Sequence, residues 1–316
     1  MCTTPQQEEK KPLKVLTIGH SLACNATQML ARIAAAEGFP GMEVGTLYYS
    51  GCPLYRHVKF LQEDANEYWL YLSSTKDVSA PPQRIKDVTM KYAIQYTDWD
   101  IIILQGGVFE IGLDETFTCG KIQIIQNYVN EHKLNPNAVF GWHMAWPGAT
   151  DIDLVSSYSQ SEQWISKYAP YENDRVKLYN AFAQCVSKYI LTDDSFRYFI
   201  PSGTAFENAM TSYLEEKDLH RDYVHASDYA RVLTAYIWYC VLAGVDHLED
   251  IKMTTIPRAF FAVKTVPEET LEAKAETLDY YVLTEMEKAI VIEAVNNALK
   301  NPLQITPSKY TEAPNK

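Results

Sequence analysis

Five short apolar runs punctuate the chain. Each ends in a turn built from glycine, proline or polar residues, and most are separated by stretches with apolar residues at helical spacing. The first run, Lys14-Val15-Leu16-Thr17-Ile18, stops at Gly19-His20-Ser21; Ala26, Met29, Leu30, Ile33 and Ala34 then mark a helix over residues 24–37. The second, residues 42–49, ends at Ser50-Gly51-Cys52-Pro53. The third, residues 100–104, is continuously apolar, as in a central parallel strand, and ends at Gln105-Gly106-Gly107. The fourth, residues 138–142, runs into His143-Met144-Ala145-Trp146, and the fifth, residues 196–200, is closed by Pro201-Ser202-Gly203-Thr204. Helical patterns cover residues 85–97, 114–132, 154–167, 173–189 and 228–245. Residues 54–77 are less regular, with a short strand or hairpin arm at 66–72. Strands alternating with helices predict an α/β fold: a three-layer α/β/α sandwich on a five-stranded, mainly parallel sheet with right-handed crossovers.

Beyond this pattern, Pro267-Glu268-Glu269-Thr270 suits a helix start, and residues 271–299 carry apolar residues at helical spacing. The expected organisation is a polar tether at 1–12, the main α/β domain at 13–250, a helical extension at 251–300 packed on it, and a loose polar tail at 301–316.

The 316 residues are 47% hydrophobic, enough for a substantial core in one large or two ordinary domains. A net charge of −12 and a pI near 5.1 exclude nucleic acid or an anionic membrane surface as the main partner, since both require a basic face. The six cysteines include no C-x-x-C pair, which argues against zinc, and no metal or organic cofactor is implied. In a chain of this length they are expected mainly as buried thiols. The 22 tyrosines and 6 tryptophans serve either packing or sugar stacking, and composition does not choose between them. Cys2 followed by a polar tether resembles the mature end of a bacterial lipoprotein, which would place the protein outside the cytoplasm with a lipid anchor in the envelope; a cytoplasmic protein with a chance Cys2 is the alternative.

The chemistry begins at Ser21. A serine between a strand end and a helix start sits where open α/β sheets bind ligands, beside backbone N–H groups that favour negative charge. What it lacks is a base. Asp222 and His225, three residues apart in a loop before the helix at 228–245, can supply one: the carboxylate either accepts the imidazole Nδ1–H or lies beside the ring, and the other nitrogen is free to take a proton from the serine. The competing reading is a helix cap with a surface histidine nearby. Gly51 either donates an N–H to an oxyanion or is a turn glycine. Gln105 either donates its amide into the same crevice or is a polar loop residue. Trp142 and Trp146 are candidate pocket walls, and His143, His20 and Gly106 candidate lining, with His143 alternatively a satisfied histidine beneath the surface.

The order Gly19-His20-Ser21-Leu22, a glycine after the second strand, an amide after the third and Asp222-x-x-His225 before the last helix of the domain resembles the SGNH (GDSL-type) hydrolase superfamily. Trp142-His143-Met144-Ala145-Trp146 and Pro201-Ser202-Gly203-Thr204-Ala205 are similar to segments of a bacterial branch of it without assigned function. The resemblance spans about residues 13–245. It implies a flavodoxin-like sheet, Ser21 as nucleophile, His225 as general base, Asp222 as its orienting carboxylate, and an oxyanion hole from the N–H groups of Ser21 and Gly51. It further implies an esterase acting on a small-molecule or glycan ester, such as an acetylated carbohydrate. The rival is a glycan-binding envelope protein on the same scaffold. Two positions depart from the superfamily: His20 stands where aspartate or asparagine usually precedes the serine, and Gln105 stands in for the asparagine that usually supplies a third oxyanion donor.

Overall fold

The computed structural model describes residues 11–78, 82–107, 110, 112–151, 168–257 and 280–314. Cys2 and most of the tether, the expected helix at 154–167, the segment 267–270 and residues 271–279 lie outside them.

The apolar runs form β1 (Leu13–Gly19), β2 (Met42–Tyr48), β5 (Ile101–Gln105), β6 (Val139–His143) and β7 (Phe196–Ile200). These five pair in parallel, in the order β2-β1-β5-β6-β7. The sheet has seven strands, however, not five. β3 (Tyr68–Ser74) pairs antiparallel with β2, and β4 (Gln83–Val88) antiparallel with β3, extending the sheet beyond the parallel part. β4 replaces the first turn of the helix expected over 85–97. What remains is a short helix, α3 (Met90–Ile94), whose N-terminus is capped by the Thr89 side chain. Ile85 and Val88 satisfied a helical spacing, but pairing with β3 decides their conformation, and no local pattern reports a partner strand.

Helices flank the sheet on both sides. On one face lie α1 (Ser21–Ala36) and, after α6 (Arg175–Tyr189), the helices α7 (Ser202–Met210), α9 (Asp228–Ala243) and α10 (Glu285–Lys300), with the one-turn α8 (Glu216–Leu219) between α7 and α9. The other face carries α2 (Leu54–Glu63), α3, α4 (Asp114–Thr118), α5 (Lys121–His132) and α6. The single helix expected over 114–132 is broken into α4 and α5 at Gly120, whose φ of +69° is left-handed.

α9 is buried nearly all round, with Tyr229 to Cys240 all inaccessible. A helix apolar on every side needs cover on every side. α1, α7 and α10 supply it together with the sheet. α10 opens with a capping box between Thr284 and Glu287. The polar segment after α10, read above as a loose tail, is laid along α7: Asn208 Oδ1 accepts from Thr306 N (2.7 Å), Ser308 N donates to Thr211 Oγ1 (2.7 Å), and Tyr213 N donates to Tyr310 O (2.9 Å). Composition misjudged it because its partners are side chains a hundred residues earlier. A two-stranded ribbon, β8 (Thr255–Pro257) with β9 (Tyr280–Val282), joins the domain to α10.

The strand order reverses between β1 and β5, the two strands that end at Gly19 and Gln105. In sheets of this kind ligands bind outside the carboxyl ends of the strands at that reversal.

Candidate active site

At the end of β1, Gly19 permits a close approach: a Cβ there would stand 2.7 Å from Gln105 Oε1. His20 follows in extended conformation as the N-cap of α1. Its Nε2 lies 2.9 Å from Gly106 O, and its Nδ1 accepts from Leu22 N at 3.4 Å. A carbonyl oxygen can only accept, so the proton is on Nε2 and the ring is neutral. Burial pushes the His20 pKa down to about 4; the Gly106 carbonyl opposes this and a charge on His225 would add to it. His20 therefore caps the helix without bringing charge to the serine. Ser21, partly accessible, is the first residue of α1.

The turn after β2 approaches from one side, with Tyr49 N donating to Gly19 O at 3.3 Å. Gly51 has φ +56°, and open space lies where a side chain would be. Any other residue would be strained there and would fill the space in front of the turn.

Gln105 is buried, and its amide is spent within the protein. Oε1 accepts from His20 N (3.2 Å), and Nε2 donates to His143 Nδ1 (3.0 Å). This corrects the reading of Gln105 as an oxyanion donor. It lies under the His20-Ser21 turn and holds it from behind. His143, fully buried, is kept neutral because burial pushes its pKa well down, helped by proximity to His20. It is the far end of this brace, not pocket lining. Trp142 and Trp146 are likewise fully buried and form no pocket wall. Trp142 packs against Phe117 and Phe196, and Trp146 stacks on Phe206 at 5.1 Å and 3°. Aromatic residues at a strand end were expected at the rim; here Trp142 is within β6 and packs into the core, and the loop after β6 folds back under the neighbouring loop and takes the Trp146 ring inside.

That neighbouring loop carries Asp222 and His225. Asp222 Oδ1 accepts from Val224 N (3.0 Å) and His225 N (2.9 Å), and His225 Nδ1 stands 2.9 Å from both carboxylate oxygens. Burial alone would raise the Asp222 pKa, but the bond and charge of the His225 ring and the two backbone N–H groups outweigh it and hold the carboxyl well below its usual range. An ionised acceptor at Nδ1 places the ring proton there and leaves Nε2 as the basic nitrogen.

The loop is fastened from two sides, by the loop after β6 and by α1. Trp146 Nε1 donates to Val224 O (2.8 Å), and Ala149 N donates to Tyr223 O (2.8 Å). His220 Nε2 bonds Pro147 O (3.1 Å). From α1, Asn25 Oδ1 accepts from Ala226 N at 2.9 Å. Asn25 lies one helical turn beyond Ser21, so the residue after His225 is tied to the helix that Ser21 opens. One face of α1 and the Asp222-His225 loop thus meet at the carboxyl end of β1.

Sequence reasoning passed over several residues that hold this arrangement. Asn25 is a buried polar residue among alanines and leucines, and that oddity was its only signal. Glu110 accepts from Leu54 N (2.9 Å) and Gly107 N (3.2 Å), joining the ends of the second and third turns. Arg175 bridges Glu207, at 2.9 and 3.0 Å, and Glu216, at 2.6 Å. Glu216 in turn accepts from Thr150 N and Asp151 N in the loop beyond Trp146. Among the described residues no cluster of His, Cys, Asp and Glu is arranged to hold a metal, and the five described cysteines are free thiols.

A family model described as a domain of unknown function, DUF4886, matches residues 14–256. No curated protein matches the chain. Among solved structures, a DUF4886 family protein from Bacteroides uniformis is 22% identical, with a TM-score of 0.73 over 96% of this chain and all of that one, and it shows the same fold. A candidate SGNH hydrolase from Slackia heliotrinireducens is 16% identical (TM-score 0.44, 73% of this chain and 100% of that one). A lipase, Lip_vut3, from a goat rumen metagenome is 11% identical (TM-score 0.39, 72% and 97%). Likeness at the level of these last two adds nothing to the fold comparison.

Proposed function

We propose that this chain, which belongs to the DUF4886 family, is a serine ester hydrolase of the SGNH kind. Ser21 attacks the ester carbonyl, and His225 Nε2 takes its proton. Asp222 orients the ring and stabilises the imidazolium. The alcohol leaves with the proton from His225, and water, activated by the same ring, releases the acid from the acyl-enzyme. The N–H groups of Ser21 and Gly51 face the oxyanion. With Gln105 engaged elsewhere, this hole has one donor fewer than the superfamily pattern. A missing donor costs about 2.7–4 kcal/mol in the transition state, so a modest turnover is expected.

The observation that carries the reading is the Asp222-His225 pair: an ionised carboxylate on Nδ1, with its loop bonded to the helix that Ser21 begins. For substrate we propose an acylated carbohydrate. With Trp142 and Trp146 in the core, the ring we assign to stack on the sugar is Tyr55, in the first turn of α2 just beyond Gly51 and 53% exposed. The test is hydrolysis of p-nitrophenyl acetate and labelling by a fluorophosphonate probe. Both should occur in the wild type and vanish in Ser21→Ala; equal turnover by the two proteins sinks the assignment. The engaged Gln105 amide favours a second reading, a glycan-binding protein with no turnover, and that reading predicts no labelling at all.

A further inference from the structure

A cleft of about 430 Å³ lies at the opposite end of the sheet from Ser21, within the size range of small-molecule sites. It exists because β3 and β4 carry the sheet further than the helices on that face can cover. Its floor is the sheet itself, where Glu43 pairs with Ser74 and Leu72 with Gln83, all on one face. The indole of Trp99 lies across Gly45 and forms the wall. Tyr96 stacks on Trp99 (6.4 Å, 23°) and is 42% exposed.

We propose that this cleft is a second binding site, separate from the catalytic one, for a neutral saccharide. The chemistry of the lining selects the class. An exposed aromatic face held flat by a second ring suits the C–H face of a pyranose. A carboxylate, a primary amide and hydroxyls around it suit ring hydroxyl groups, which both donate and accept. Anions are disfavoured because Glu43 and Asp77 both line the cleft. Organic cations are the competing class, because Lys14 Nζ reaches Glu43 only at 3.9 Å, and the spermidine arm of the test separates them from saccharides. Lys14 itself is committed to Asp98 at 2.6 Å. The cleft lies at the amino ends of the parallel strands, a full sheet length from Gly19 and Gly51, so a saccharide chain held here would anchor the protein to its polymer without occupying the Ser21 crevice.

The experiment is saturation-transfer NMR and calorimetry on the full chain with neutral oligosaccharide probes: xylohexaose, cellohexaose, mannohexaose and chitohexaose. The Ser21→Ala variant is run beside the wild type, so that any turnover at Ser21 does not confuse the result. At least one probe should bind equally to wild type and Ser21→Ala. Tyr96→Ala should weaken it by about fivefold or more, the scale of a lost aromatic contact, while p-nitrophenyl acetate turnover is unchanged. Glu43→Gln should weaken it less and keep the fold. Absence of binding by every probe at about 10 mM overturns the proposal, as does binding that survives Tyr96→Ala, or binding of spermidine in preference to the saccharides. The binding outcomes do not depend on whether Ser21 is a nucleophile; only the turnover control does.

Discussion

Asp222→Asn separates the chemical task of the Asp222 side chain from its structural one. In the native loop Oδ1 accepts from two backbone N–H groups while both oxygens face His225 Nδ1. Asparagine keeps one oxygen, enough for Val224 N and His225 N, so the loop retains its shape. Its NH2 then faces Nδ1. Two donors cannot share that position, so the ring proton moves to Nε2, and the nitrogen that should accept from Ser21 becomes a donor. The same substitution in a working triad lowers kcat by about 10⁴ with the geometry intact. In free energy that is about 5.5 kcal/mol of transition-state stabilisation, far above the 1–3 kcal/mol of a disturbed neutral hydrogen bond. The assay is kcat and KM for p-nitrophenyl acetate, with a thermal melt to show that the loop is kept. A fall of less than about tenfold, in a variant that remains folded at the assay temperature and still melts in one cooperative transition, would refute the placing of the proton on Nδ1 and with it the role of Asp222.

Trp146→Phe keeps the stack on Phe206 but leaves Val224 O without its donor. It should destabilise the fold by about 1–3 kcal/mol in a denaturant titration and lower kcat more than it raises KM. Glu207 has its pKa raised to about 7, first by burial and against the pull of Arg175. The folded state then binds a proton that the unfolded chain has lost, so the Glu207 contribution to stability is fully present below about pH 4.5 and is lost as pH rises through about 7. Glu207→Gln should flatten the melting temperature across that window; an unchanged slope would mean that the carboxyl does not titrate there. The depressed Asp222 pKa acts in the opposite sense: its contribution is complete above the ordinary carboxylate range and fades only in strong acid, so Asp222→Asn should leave stability at pH 7 lower than the wild type's and the gap should close on acidification.

The parallel half of the sheet was legible in the chain because each of its strands is an apolar run with its own terminating turn, a purely local signal. β4 was not, since Gln83–Val88 is an edge strand with a half-polar face and takes its conformation from β3. The catalytic candidates were legible as residue types at two distant turns. The roles of their neighbours were not. Trp146 and His143 look the same on paper whether they face solvent or the core; the fold of the loop after β6 turns Trp146 inward, and His143, the last residue of β6, is held inside beside Gln105. Gln105 shows the same limit more sharply: an amide at a strand end was found, but its direction depended on His143, one strand further along the sheet.

The bond between Asn25 and Ala226 closes a loop of 201 residues. During synthesis, at about 5–20 residues per second, some ten seconds or more pass between the appearance of Ser21 and that of His225. On the proposed assignment the nascent chain carries over that interval an alcohol no more reactive than any other, and is born inert towards esters. Activity, when it arrives, reports that the whole domain has closed.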